Sequence, residues 1–113
     1  MPILFGQKFL NDPARGQLRQ TMKAALLRNH RVGFTRAVTG VIERAGVYED
    51  IKQIRVPTLI IVGDQDVATV PAKAERIHAQ IPGSRLVIIP GAGHTSTVEE
   101  SEAVNQALLE FFA

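Results

Sequence analysis

Val56-Pro57-Thr58-Leu59-Ile60-Ile61-Val62-Gly63-Asp64-Gln65-Asp66 decides how this chain is read, together with Gly91-Ala92-Gly93-His94, whose histidine lies 28 residues beyond Asp66. Each stretch closes a short, continuously apolar run, Thr58 to Val62 and Arg85 to Ile89. Such runs, bounded by Gly and Pro, read as strands buried on both faces. In open α/β sheets ligands bind outside the carboxyl ends of the strands. An acid and a histidine at the ends of neighbouring parallel strands would meet in that crevice, where the acid fixes the imidazole tautomer and stabilises its protonated form. The chain has no Gly-x-Ser-x-Gly and no cysteine.

The pattern Pro-Thr-Leu, apolar run, Gly-x-x-Asp, then Pro resembles the acid strand of the α/β-hydrolase superfamily, and Gly-x-Gly-His resembles its histidine loop. Pro57, Thr58, Leu59, Gly63, Asp66 and Pro71 carry the first match, and Pro90, Gly91, Gly93 and His94 the second. Pro71 falls one residue later than the commonest spacing. The resemblance implies the carboxyl-terminal portion of an esterase-like or lactonase-like hydrolase. Its fold is then α/β, with two parallel strands, flanking helices and an amino-terminal cap-like helical segment. Residues 1–53 are expected to be that segment, and residues 54–113 a βαβα part of the hydrolase core. In the family's chain order of nucleophile, acid and histidine, the nucleophile and oxyanion hole are expected ahead of the residues present here.

Composition bounds the alternatives. At 113 residues and 45% apolar the chain can bury a core, though a small one. Without cysteine it holds no disulfide and no thiol redox site. No apolar stretch reaches the ~18 to 20 residues of a membrane span, and the first residues lack a signal-peptide pattern. The expectation is a cytoplasmic protein with no membrane partner. Residues 1–56 carry ten Lys and Arg against four Asp and Glu, whereas residues 57–113 carry three against seven. The basic charges are spread along helices without interleaved aromatics, which reads as solvated helix faces rather than a nucleic-acid surface.

Asn11-Asp12-Pro13 marks the entry to a helix over 14–29, with Leu18, Met22, Ala25 and Leu26 at helical spacing. A second helix over 34–45 carries Phe34, Ala37, Val38, Val41, Ile42 and Ala45 on one stripe, with Gly33 and Gly46 at its ends. This hairpin must cover something apolar, a substrate cleft or the rest of the core. Residues 48–54 read as a short helix or turn. Beyond the acid strand, a helix over 71–81 with Ala74, Ile77 and Ile81 inward ends at Pro82-Gly83. A last helix over 99–112 places Val104, Leu108 and Phe111 on one face, with Thr97 and Glu100 as a capping box.

Asp66 and His94 are the candidate catalytic acid and base. Asp64 competes for the acid role but reads as a turn residue capping a nearby backbone N–H. His30 and His78 read as structural or exposed. Three histidines without ligand spacing make no metal site, and no cofactor is expected. Ser84, Ser96 and Ser101 lack the strand-to-helix elbow that presents a nucleophile; Ser96 reads as a helix cap. Two readings follow. The chain contributes acid, base and covering helices to a hydrolase of small-molecule esters or lactones, and is inactive without a nucleophile-bearing segment. Alternatively it is a noncatalytic remnant or association module of hydrolase descent. Either way the uncovered edge of the first strand predicts a homo-oligomer.

Overall fold

The computed structural model describes residues 1–113. Its centre is a two-stranded parallel sheet, β1 (Leu59–Gly63) beside β2 (Arg85–Ile89), paired in register from Leu59 opposite Arg85 to Gly63 opposite Ile89. The first strand begins one residue later than the apolar run suggests. Helix α4 (Pro71–Gln80) makes the crossover, with Pro71 at its first position, where a missing N–H costs nothing. It buries Ala74, and Ile81 beyond its end is also buried, but Ile77 stays half-exposed. Ile89, Ala92 and Val104 form the packed centre, with Ile61 and Val87 against them.

The last helix differs from its sequence reading. Ser96–Glu99 forms a single turn, α5, and Ser101–Phe112 forms α6. Glu100, at φ −135° and ψ 55°, breaks the two apart. Thr97 lies inside α5, so the expected capping box with Glu100 does not form, and no side-chain cap bond joins them. Glu99 instead accepts from the N–H of Thr95 at 3.2 Å. Ser96 is the first residue of α5 and caps nothing.

The amino-terminal part has two unlike pieces. Residues 4–9, with helix α1 (Gln7–Asn11), run beneath the strand-end loops: Phe5 and Phe9 are fully buried and stacked, ring centroids 4.8 Å apart. Arg19 holds the exit of this piece by donating to the carbonyls of Phe9, at 2.9 Å, and Asp12. A 3₁₀ turn at Pro13–Arg15 then leads into α2 (Gly16–Leu27), followed by α3 (Arg31–Glu43). His30 caps α3 by accepting from Gly33 N–H, which places Gly33 inside the helix rather than at its boundary. Neither α2 nor α3 buries a single residue, and the α3 stripe faces solvent, Phe34 at 59% and Ile42 at 76% exposure. Both helices form, but they do not pack closely on each other as the expected hairpin; Met22, Ala25 and Leu26 of α2 are half-buried, and the α3 stripe covers nothing within this chain. A further 3₁₀ turn, Asp50–Gln53, leads back to β1.

Candidate active site

The parallel register ends both strands at the same level, so their loops leave the sheet side by side. Backbone bonds tie these loops together: Asp64 N–H donates to Ile89 C=O at 3.1 Å and Gln65 N–H to Ala92 C=O at 2.9 Å. Asp64 adds a side-chain bond, accepting from Gly91 N–H at 2.7 Å. Asp64 thus caps a backbone N–H, but across to the histidine loop 27 residues on rather than within its own turn. Gly91 has φ +76°, a left-handed conformation that glycine adopts without the Cβ penalty. Gly93 lies so close to Phe5 and Gly6 that an added Cβ would collide with their backbone. The glycines thus bring the histidine loop down onto both the acid loop and the amino-terminal segment.

Asp66 is 5% exposed, and its carboxylate is fully engaged. Oδ1 accepts from the N–H groups of Ala68 at 2.9 Å and Thr69 at 2.8 Å. Oδ2 accepts from the Thr69 hydroxyl at 2.9 Å and lies 2.9 Å from His94 Nδ1. Burial pushes the Asp66 carboxyl up, but the Thr69 N–H, His94, the Thr69 hydroxyl and the Ala68 N–H outweigh it and hold it below the ordinary aspartate range. The hydroxyl hydrogen of Thr69 points to Asp66, so its oxygen, 3.2 Å from His94 Nδ1, can act there only as an acceptor. Two acceptors facing Nδ1 require a proton on that nitrogen. Nε2 then carries the free lone pair in a neutral ring, the state a general base needs.

Thr69 escapes a search for acid and histidine alone. Its signal is local: a hydroxyl residue three positions after an aspartate in a turn, where both can bond to the same backbone. Of the other polar candidates, His78 Nδ1 meets Ser84 Oγ at 2.8 Å at the turn into β2, remote in role from Asp66. Ser96 does line the cavity beside His94, without any hydrogen bond to it. That cavity, of about 450 Å³, runs along β1 from Ile60 to Gly63 and takes in Asp66, Thr69, Lys73, His94 and Arg44. No group of three or more His, Cys, Asp or Glu side chains is arranged to hold a metal ion, and no helix is long and apolar enough to cross a membrane.

A two-stranded parallel sheet with flanking helices and an acid and histidine at its strand ends is part of an α/β-hydrolase fold. Residues 38–113 match the hydrolase family model described as TAP-like protein, and the chain belongs to that family. Proline iminopeptidase of Saccharolobus solfataricus is 40% identical over 74 residues, covering 66% of this chain and 24% of that protein. A thermophilic esterase from Thermogutta terrifontis superposes with a TM-score of 0.62 at 36% identity, covering 65% of this chain and 27% of its own. The enol-lactonase from Burkholderia xenovorans LB400 superposes over 98% of this chain and 41% of its own, with a TM-score of 0.87; at 22% identity it attests the fold alone. The chain spans about two fifths of the length of the Bacillus subtilis relative and about a quarter of that of the proline iminopeptidase and bromoperoxidase relatives it matches.

Proposed function

We propose that this chain supplies the acid and the base of a nucleophile-His-Asp triad in a hydrolase of small-molecule esters or lactones, with the nucleophile contributed from outside residues 1–113. The observation that carries this reading is the 2.9 Å contact of Asp66 with His94, reinforced by Thr69, at the mouth of a cavity. His94 Nε2 takes the proton of an attacking hydroxyl, forming an imidazolium that Asp66 stabilises, and returns it to the leaving group. The esterase resemblance supports the substrate class. The helices of residues 16–43 serve in this reading as the cover of the cleft, while residues 4–9 belong to the support beneath the histidine loop. A base acts only on a positioned reacting group, so residues 1–113 alone give no turnover. Incubation with an activated ester and with a serine-directed phosphonate checks this: stoichiometric labelling at Ser96, lost in His94→Ala, would overturn it. The positive test joins these residues behind the preceding segment of the Burkholderia enol-lactonase. Turnover that depends on His94 supports the triad; a folded but silent chimera sinks it.

The open edge of β1 and the exposed stripe of α3 favour a second role, association. An unpaired apolar strand edge templates pairing with another chain, and the exposed Phe34, Val38, Val41 and Ile42 add a surface that water does not favour. Self-association through this flank predicts sedimentation as a dimer or larger species at micromolar concentration. A compact monomer under those conditions rules it out.

A further inference from the structure

The most deeply buried charged side chain is neither member of the pair. Glu99 is 2% exposed and sits in the short turn α5, five residues beyond His94. Its Oε1 accepts from Gly6 N–H at 2.6 Å. Its Oε2 accepts from Gly93 N–H at 3.0 Å and Thr95 N–H at 3.2 Å, and the Thr95 hydroxyl lies 3.0 Å away. That hydroxyl also faces Leu4 C=O at 3.0 Å, to which Thr95 N–H is shared as well. No cation contacts the Glu99 carboxylate. Its partners are three backbone N–H groups and the Thr95 hydroxyl, and two of the residues supplying them stand on either side of His94.

We propose that Glu99 is a positioning residue for His94, clamping the backbone before and after the imidazole and fastening it to residues 4–6. A buried carboxylate stays only where donors fill its lone pairs, and here those donors belong to the loop whose placement decides the 2.9 Å contact with Asp66. Charge-assisted bonds to backbone N–H are the stronger kind, so the clamp resists rotation of the loop away from the acid. The ion pairs of Glu100 with Lys8, at 2.7 Å, and Arg15, at 3.3 Å, dock the same turn on the amino-terminal segment from outside. The role of His94 as base rests on the proposed function; the clamp itself is a statement about geometry and is tested without turnover.

The test is nuclear magnetic resonance on the 113-residue protein. In the unsubstituted chain the Gly6 and Gly93 amide protons should exchange at least about tenfold more slowly than the amide of His94, as buried bonded groups do. The His94 Nδ1 proton should give a low-field resonance through its bond to Asp66. Glu99→Gln places an amide NH₂ among N–H donors; it should abolish that resonance and raise the Asp66 titration midpoint toward the ordinary value. Ile81→Ala removes buried apolar volume at the end of α4, and should lower thermal stability while leaving both signals in place. Loss of stability in Glu99→Gln with the Nδ1 resonance and Asp66 midpoint unchanged would overturn the clamp. Should Glu99→Gln not fold, rapid exchange of Gly6 and Gly93 in the unsubstituted chain is enough to reject it.

Discussion

The helices of residues 71–112 and those of residues 16–43 are all amphipathic by sequence, yet the first set buries apolar side chains such as Ala74, Val104 and Ala107 while α2 and α3 bury none. The βαβ unit encloses Ile89, Ala92 and Val104, whereas α2 and α3 bury no residue. The radius of gyration, 15.9 Å, exceeds the ~13 Å of a compact domain of about a hundred residues, in keeping with helices α2 and α3 that bury no residue. Strands find their partners within 30 residues through a crossover that the chain itself contains. A helix pair has no such local partner, and its stripe fixes only that something apolar belongs there. The contrast teaches that the acid–histidine pair is held by contacts made within residues 1–113, the amino-terminal residues 4–6 included, whereas the α3 stripe has no neighbour among them.

The comparison breaks most visibly in activity. In the chimera completed with a nucleophile, His94→Ala should cost at least about 10³-fold in kcat/KM, since removing a triad member leaves only binding and oxyanion stabilisation. Alanine at Ile42 should leave turnover in the same chimera far less affected, and an equal loss there would erase the distinction between scaffold and cover.

Stability of the 113-residue chain gives the next largest effect. Phe9→Ala empties a fully buried site and should cost about 3 to 5 kcal/mol in urea unfolding. As long as the chain is monomeric, Ile42→Ala removes an exposed side chain and should stay within about 0.5 kcal/mol. A large cost at Ile42 would mean that α3 is covered in solution, through association, and concentration dependence of the midpoint would then identify the covering partner as another copy.

Smaller effects probe the site itself. Asp66→Asn keeps an oxygen for the Ala68 and Thr69 amides but loses the charge, for an expected loss of about 1 to 3 kcal/mol. Because the folded Asp66 titrates below its ordinary value of 3.8, its contribution is present above that pH and disappears as pH falls through the folded midpoint. The difference in stability between wild type and Asp66→Asn should therefore shrink on acidification below 3.8; a constant difference would place the effect in packing. Thr69→Val removes one hydroxyl bond to Asp66 and one acceptor facing His94, and should cost about 1 kcal/mol with a rise in the Asp66 midpoint. No rise would take Thr69 out of the site.

By itself the sequence determined the two strands, the crossover helix between them and the pair. Continuous apolar runs ended by Gly and Pro mark β1 and β2, and the two strand-end motifs bring Asp66 and His94 together while leaving Asp64 to cap Gly91. These signals are local, read within a few residues and joined by one crossover. Tertiary structure alone decided the rest. Glu99 meets Gly6 across 93 residues of chain, and no periodicity registers such a contact. The burial of Phe5 and Phe9 beneath the histidine loop has the same cause. The break at Glu100 replaced one long helix by two because the turn before it folds back to bond the loop. Amphipathic spacing fixed that α3 is a helix with an apolar stripe; what lies against that stripe is a question of neighbours, and a stripe has the same pattern whether its neighbour is protein or water.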